Sequence, residues 1–117
     1  MDLINDLNDL IIRLNQSIKL LKKYGTELAD AEMQYKITLR QEALKLRAEK
    51  GMAVTLINQV VYGVPEVATK RYKRDVAEAM YQTAQEEINS IKLQMRIIES
   101  QINREWGNNK WVIMSFV

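Results

Sequence analysis

Lys70-Arg71-Tyr72-Lys73-Arg74 gathers four cations around one aromatic ring. Residues of these types can hold phosphates through their charges and stack a base on the tyrosine, so the five are candidates for binding nucleic acid or another anionic partner. Positions three and four apart are neighbours on a helix, which puts Lys70, Lys73 and Arg74 on one face. Early in a helix such cations oppose the dipole, a small cost that an anionic partner would offset. Glu66, Asp75 and Glu78 lie close by in sequence, and a solvated face of internal ion pairs is the plainer reading. Lys36, Arg40, Arg47 and Lys50 form a second basic stretch, interrupted by Glu42 and Glu49. If the chain reverses between residues 52 and 64, the two stretches meet as one positive surface.

Other chemistry is scarce. The sequence has no His and no Cys, which removes the commonest general base, the thiolate nucleophile and the usual transition-metal ligands. Glu86-Glu87 and Glu99 sit among polar positions with no Gly-rich phosphate loop beside them, and Asp2, Asp6 and Asp9 read as the acidic start of a helix rather than a metal site. No catalytic, cofactor-binding or metal-binding residue is assigned, and the expectation is a non-enzymatic protein without a small-molecule substrate. A formal net charge of +2 is too small to mark an obligate nucleic-acid binder. The start Met1-Asp2-Leu3-Ile4-Asn5-Asp6 lacks the basic, apolar pattern of a signal peptide, and no apolar run approaches the ~18 residues of a membrane span. With the lack of cysteine this predicts a cytoplasmic protein that does not enter a membrane.

The C-terminal run is of another kind. Trp111 to Val117 is uncharged, carries two aromatic rings and contains no Pro, so it would be an aggregation hazard if left in water. It should be buried, most simply in the protein's own oligomer. The alternative is a peptide that enters a partner's groove or extends its sheet, with Trp111, Val112, Ile113, Met114 and Phe116 as the docking residues.

The elements that must position these groups are helices. The chain has one Pro and four Gly, and so has few places to stop a helix. Leu3, Leu7, Leu10, Leu14, Ser17, Leu21 and Tyr24 alternate spacings of four and three, a heptad seam in which only Ser17 is out of character. Ile4, Ile11 and Ile18 run beside it, widening the apolar face beyond what one neighbour needs. The register continues past Gly25 through Leu28, Ala31, Tyr35 and Thr38, so Gly25 is either a cap or an interior residue of one long helix. The steps to Leu39, Ala43 and Leu46 resemble a stutter, and Gly51 ends the helix. Residues 52 to 64 read as a short helical connector with Thr55 as its cap. Pro65 then opens a segment reaching Trp106, roughly 60 Å if unbroken, whose seam is Ala84, Ile88, Ile91, Met95, Ile98 and Ile102. Asn58 to Tyr72 faintly resembles a helix-turn-helix around Gly63, but Gln59 and Thr69 stand where small and apolar residues belong. Met33, Met52, Met80 and Met95 suit gap-filling in a core.

Gln41-Glu42-Ala43-Leu44-Lys45-Leu46-Arg47-Ala48-Glu49-Lys50-Gly51-Met52-Ala53-Val54-Thr55-Leu56-Ile57, within a likeness that begins at Tyr35, carries a resemblance together with Asp75-Val76-Ala77-Glu78 and Arg104-Glu105-Trp106-Gly107. The chain resembles small helical proteins of the early replication and recombination gene clusters of phages and prophages of Gram-positive bacteria. The likeness covers about two thirds of the sequence and stops near Gly107, short of the apolar tail. It implies a phage factor in the host cytoplasm that binds replication, recombination, repressor or defence proteins, and it assigns no functional residue.

The expectation is therefore an all-α protein: a long helical hairpin or coiled-coil-like bundle over residues 1–107, with helices at about 2–50, 55–62 and 65–106, and a short extended apolar tail over 108–117. We expect it to be a homo-oligomer and to act as an adaptor or inhibitor on a protein partner. A nucleic-acid-binding accessory of recombination or replication is the alternative, and a structural assembly element the third reading.

Overall fold

A computed structural model describes residues 2–108 of the chain. Every regular element among them is helical, and the expected all-α hairpin forms. Helix α1 spans Leu3–Lys50, α2 spans Val54–Val60, a 3₁₀ turn covers Val61–Gly63, and α3 spans Pro65–Asn108. The apolar tail from residue 109 onward, with Trp111, Val112, Ile113, Met114 and Phe116, lies outside the described residues.

Local chemistry accounts for the helix starts and for the end of α1. Asp2 caps α1, its Oδ1 accepting the N–H groups of Ile4 at 3.0 Å and Asn5 at 3.3 Å. Over its 48 residues α1 contains no Pro and a single Gly, and Gly25 sits inside the helix rather than ending it. The packing there is close: an added Cβ would stand 3.3 Å from Cε2 of Tyr81. The helix stops at Gly51, whose φ of 60° is the left-handed conformation that closes helices, and Met52 N–H then donates to the Leu46 carbonyl at 3.3 Å. Thr55 is not the cap of α2. Ala53 holds that position, its carbonyl accepting the Ile57 N–H at 3.0 Å, and with no side-chain acceptor it adds no side-chain cap. Pro65 occupies the first turn of α3, where its missing N–H costs nothing, and Glu66 beside it suits the dipole.

The chain divides into two compact units, and α1 and α3 each contribute to both. In the terminal unit, residues 2–20 and 84–108, the two helices run antiparallel. Arg13 pairs with Glu87 at 3.1 Å, while Leu3 shares a cleft with Gln101, Arg104 and Glu105. Its buried residues are Leu10, Ser17, Ala84, Ile88 and Ile91, all on the two heptad seams, and Ile91 is 0% exposed. Ser17, the residue out of character in the pattern, is buried with the rest.

In the turn unit, residues 21–83, Tyr35, Leu46, Ile57, Val61 and Val67 form one buried cluster, with Leu39, Ala43, Met52 and Val64 packed against it. The stutter residues thus turn α1 toward α2. A seven-residue helix is too short to persist alone, and α2 is held by burying Ile57 and Val61, four apart on one face. Residues that repeat every three or four positions on α3 here, Val67, Lys70, Arg74, Ala77 and Tyr81, are buried or half-buried.

Candidate interaction surfaces

The basic cluster lies at the start of α3, and the helix distributes its side chains among different duties. Arg74 falls on the seam. Its guanidinium sits over the Tyr35 ring at 4.7 Å from the centroid and donates from Nε at 3.1 Å and Nη2 at 2.8 Å to Oδ1 of Asp75. The hydrogen bond to Asp75 raises the Arg74 pKa further, so its charge is permanent, but the charge is already engaged inside the unit. Arg71 lies over Tyr62 at 5.7 Å. Lys70 and Lys73 line a shallow cleft with Pro65, Glu66 and Thr69. Tyr72 points away from the core at 69% exposure. The face that Lys70, Lys73 and Arg74 share is therefore divided, with Arg74 packed inward and Lys73 left in water.

This division has a measurable consequence. Arg74→Ala should lower stability by about 1 kcal/mol through the lost stacking and packing on Tyr35. Lys73→Ala should stay within about 0.5 kcal/mol of the parent. Urea midpoints of the two variants check this, and equal midpoints would remove Arg74 from the core of the turn unit.

The second basic stretch is likewise partly occupied. Arg47 Nη1 donates to the Met52 carbonyl at 3.1 Å, bracing the turn after Gly51, and Lys45 pairs with Glu42 at 3.2 Å. Lys36, Arg40 and Lys50 are exposed. The segment from 58 to 72 does run helix, turn, helix, yet Gln59 and Thr69 are both exposed. Thr69 Oγ1 is turned back onto the Pro65 carbonyl at 2.8 Å. Neither side chain makes the close helix contact that a DNA-reading turn needs at those places.

The surface that sequence reasoning missed is apolar. While α2 buries Ile57, it leaves Val54, Leu56 and Val60 exposed, and Tyr62 follows them. Leu56 is 46% exposed and stands four residues from Val60, so the pair forms one face of the helix. A count over residues 54–62 would have found it, because apolar residues on every side of so short a helix exceed what one packed face can cover. Elsewhere in the turn unit, Met33 and Ile37 on α1 and Val76 and Met80 on α3 are also exposed, each pair four apart. In the terminal unit Ile4 and Ile11 lie in water beside the seam, as do Leu93 and Ile97 on α3.

Among the described residues no helix is long and apolar enough to cross a membrane, and no group of three His, Cys, Asp or Glu is placed to hold a metal ion. No family model matches the chain, and no curated protein and no solved structure matches it either.

Proposed function

We propose that this chain is a non-enzymatic helical adaptor or inhibitor that docks on a protein partner through the exposed face of its connector helix. Following the resemblance of its sequence, the partner is a host or phage protein of replication, recombination, repression or defence. The observation that carries the reading is the connector itself: seven residues that expose Leu56 and Val60 on one face, with Val54 and Tyr62 also exposed, on a helix held by burying Ile57 and Val61. Clustered apolar side chains left in water by a folded domain are the usual mark of an interaction surface. Self-association belongs to the same reading, with the exposed Met33, Ile37, Val76 and Met80 as the residues a second copy would cover.

The test is a variant carrying Leu56→Asp and Val60→Asp. Both positions are exposed, so helicity and thermal midpoint should change little. A partner enriched from lysate by the parent chain and then purified should bind the variant at least about tenfold more weakly, the loss of roughly 1.4 kcal/mol. Equal binding by the variant would end the connector's claim. The nucleic-acid reading keeps one specific support, the exposure of Tyr72 between Arg71 and Lys73. It requires binding that weakens steeply with salt and is lost with Tyr72→Ala.

A further inference from the structure

Beside the buried seam of α1 in the terminal unit runs a second row with the same rhythm. Ile4, Asn8, Ile11, Asn15 and Ile18 follow one another at spacings of four and three, an isoleucine stripe in which asparagines alternate. Ile18 is half-buried and the other four are exposed, Ile4 at 47% and Ile11 at 39%. The row is about 21 Å long at 1.5 Å per residue. It is a heptad seam left in water, one residue round from the seam in which Leu10 and Ser17 are buried.

The residue types in the row limit what can cover it. An asparagine pressed onto apolar surface loses its hydrogen bonds, so a uniformly apolar partner face would suit the isoleucines and penalise Asn8 and Asn15. The fitting surface repeats the alternation, isoleucine against isoleucine and amide against amide, and the row is itself such a surface. Asparagine at core positions is also a means by which paired helices fix their register. A two-fold axis at Ile11 sets Ile4 against the copy's Ile18, Ile11 against its equivalent, and Asn8 against the copy's Asn15. Charge fixes the direction. Asp2, Asp6 and Asp9 lie at the start of the row, Lys19 lies at its end, and Lys22 and Lys23 follow along α1. Parallel copies would bring acid to acid and lysine to lysine. Antiparallel copies lay each acidic start along the other's basic end, and their helix dipoles oppose.

We propose that two copies of this chain pair antiparallel through the row Ile4, Asn8, Ile11, Asn15 and Ile18 of α1, about a two-fold axis at Ile11. A contact one helix wide and about 21 Å long falls at the small end of specific interfaces, so the dimer dissociates on dilution. The pairing makes no use of the connector or of the turn-unit residues named above, and its failure would leave their role untouched.

Sedimentation equilibrium of the full chain, from about 1 to 200 µM, should show a monomer–dimer transition. Ile11→Lys sets two like charges against each other on the axis and should weaken the dimer at least about tenfold. The position is exposed, so the dilute monomer should keep its helicity and thermal midpoint. Ile97→Lys, at a position of α3 that is 51% exposed, should leave the dimer as it was. Orientation can be read by disulfide trapping, because the chain has no cysteine of its own. An equimolar mixture of Asn8→Cys and Asn15→Cys proteins should oxidise to the mixed dimer several-fold more than to either same-variant dimer. A monomer across the whole range would overturn the proposal. A dimer indifferent to Ile11→Lys would place the second copy on another face, and a predominance of same-variant disulfides would make the pairing parallel, either of which overturns it as well.

Discussion

Ile91→Ala should lower the stability of the terminal unit by about 3 kcal/mol, the middle of the range for truncating a buried isoleucine. Ile91 is wholly buried at the centre of its seam, with Ile88 three residues before it and Leu10 and Ser17 buried on α1 in the same unit. Two paired helices offer few layers through which a cavity can be refilled, so relaxation should recover little of the loss. Native-state hydrogen exchange around residues 84–102 should accelerate about a hundredfold, the factor that 3 kcal/mol implies. Ile97→Ala, six residues away and 51% exposed, should cost less than about 1 kcal/mol. Similar exchange in the two variants would mean that the α3 seam does not face α1.

The connector supplies the second large effect. Ile57→Asp places a carboxylate among Tyr35, Leu46, Val61 and Val67, and the cation stacked on Tyr35, Arg74, is already engaged by Asp75. An unpaired charge cannot remain there, and the loss should be on the order of 3 kcal/mol. The form of the loss is the more specific prediction. Because α2 is held by burial and not by its own length, it should leave the core as a unit, and amide protection should vanish over residues 54–63. Helices α1 and α3, of 48 and 44 residues, hold nearly all the helical signal, so circular dichroism should fall only slightly. Ile57→Leu, close in volume, should cost less than about 1.5 kcal/mol. Retained protection in the Asp variant would show that the connector is fixed by its ends rather than by its core.

The hairpin was legible because heptad spacing records which side of a helix another helix covers. From Leu3 to Tyr35 no seam position is exposed, Ser17 included. The close packing at Gly25 was not legible from α1 alone, since the ring that an added Cβ would press on, Tyr81, is far away in sequence. The basic cluster was misleading for a related reason. Reading Lys70 to Arg74 as a local run hid the fact that the α3 seam, counted back from Ala84 through Tyr81 and Ala77, arrives at Arg74 and Lys70. Register, rather than local charge, decides where Arg74 goes. Thr55 is a good cap by type, yet α2 begins at Val54, so Thr55 lies inside the first turn and Ala53, which has no side-chain acceptor, holds the cap position.

The order of synthesis gives the pairing of Arg13 with Glu87 a further meaning. These partners are separated by 74 residues of chain. At about 5–20 residues per second, Arg13 waits some 4 to 15 seconds for Glu87 to be made. Throughout that interval the first half of α1 exists with its leucines and its isoleucine stripe facing whatever else the cell offers. Three aspartates at its start and three lysines at residues 19, 22 and 23 keep that stretch charged at both ends while it waits. The charges that suit the dipole of the finished helix thus also stand where the unfinished one is most exposed to the wrong company.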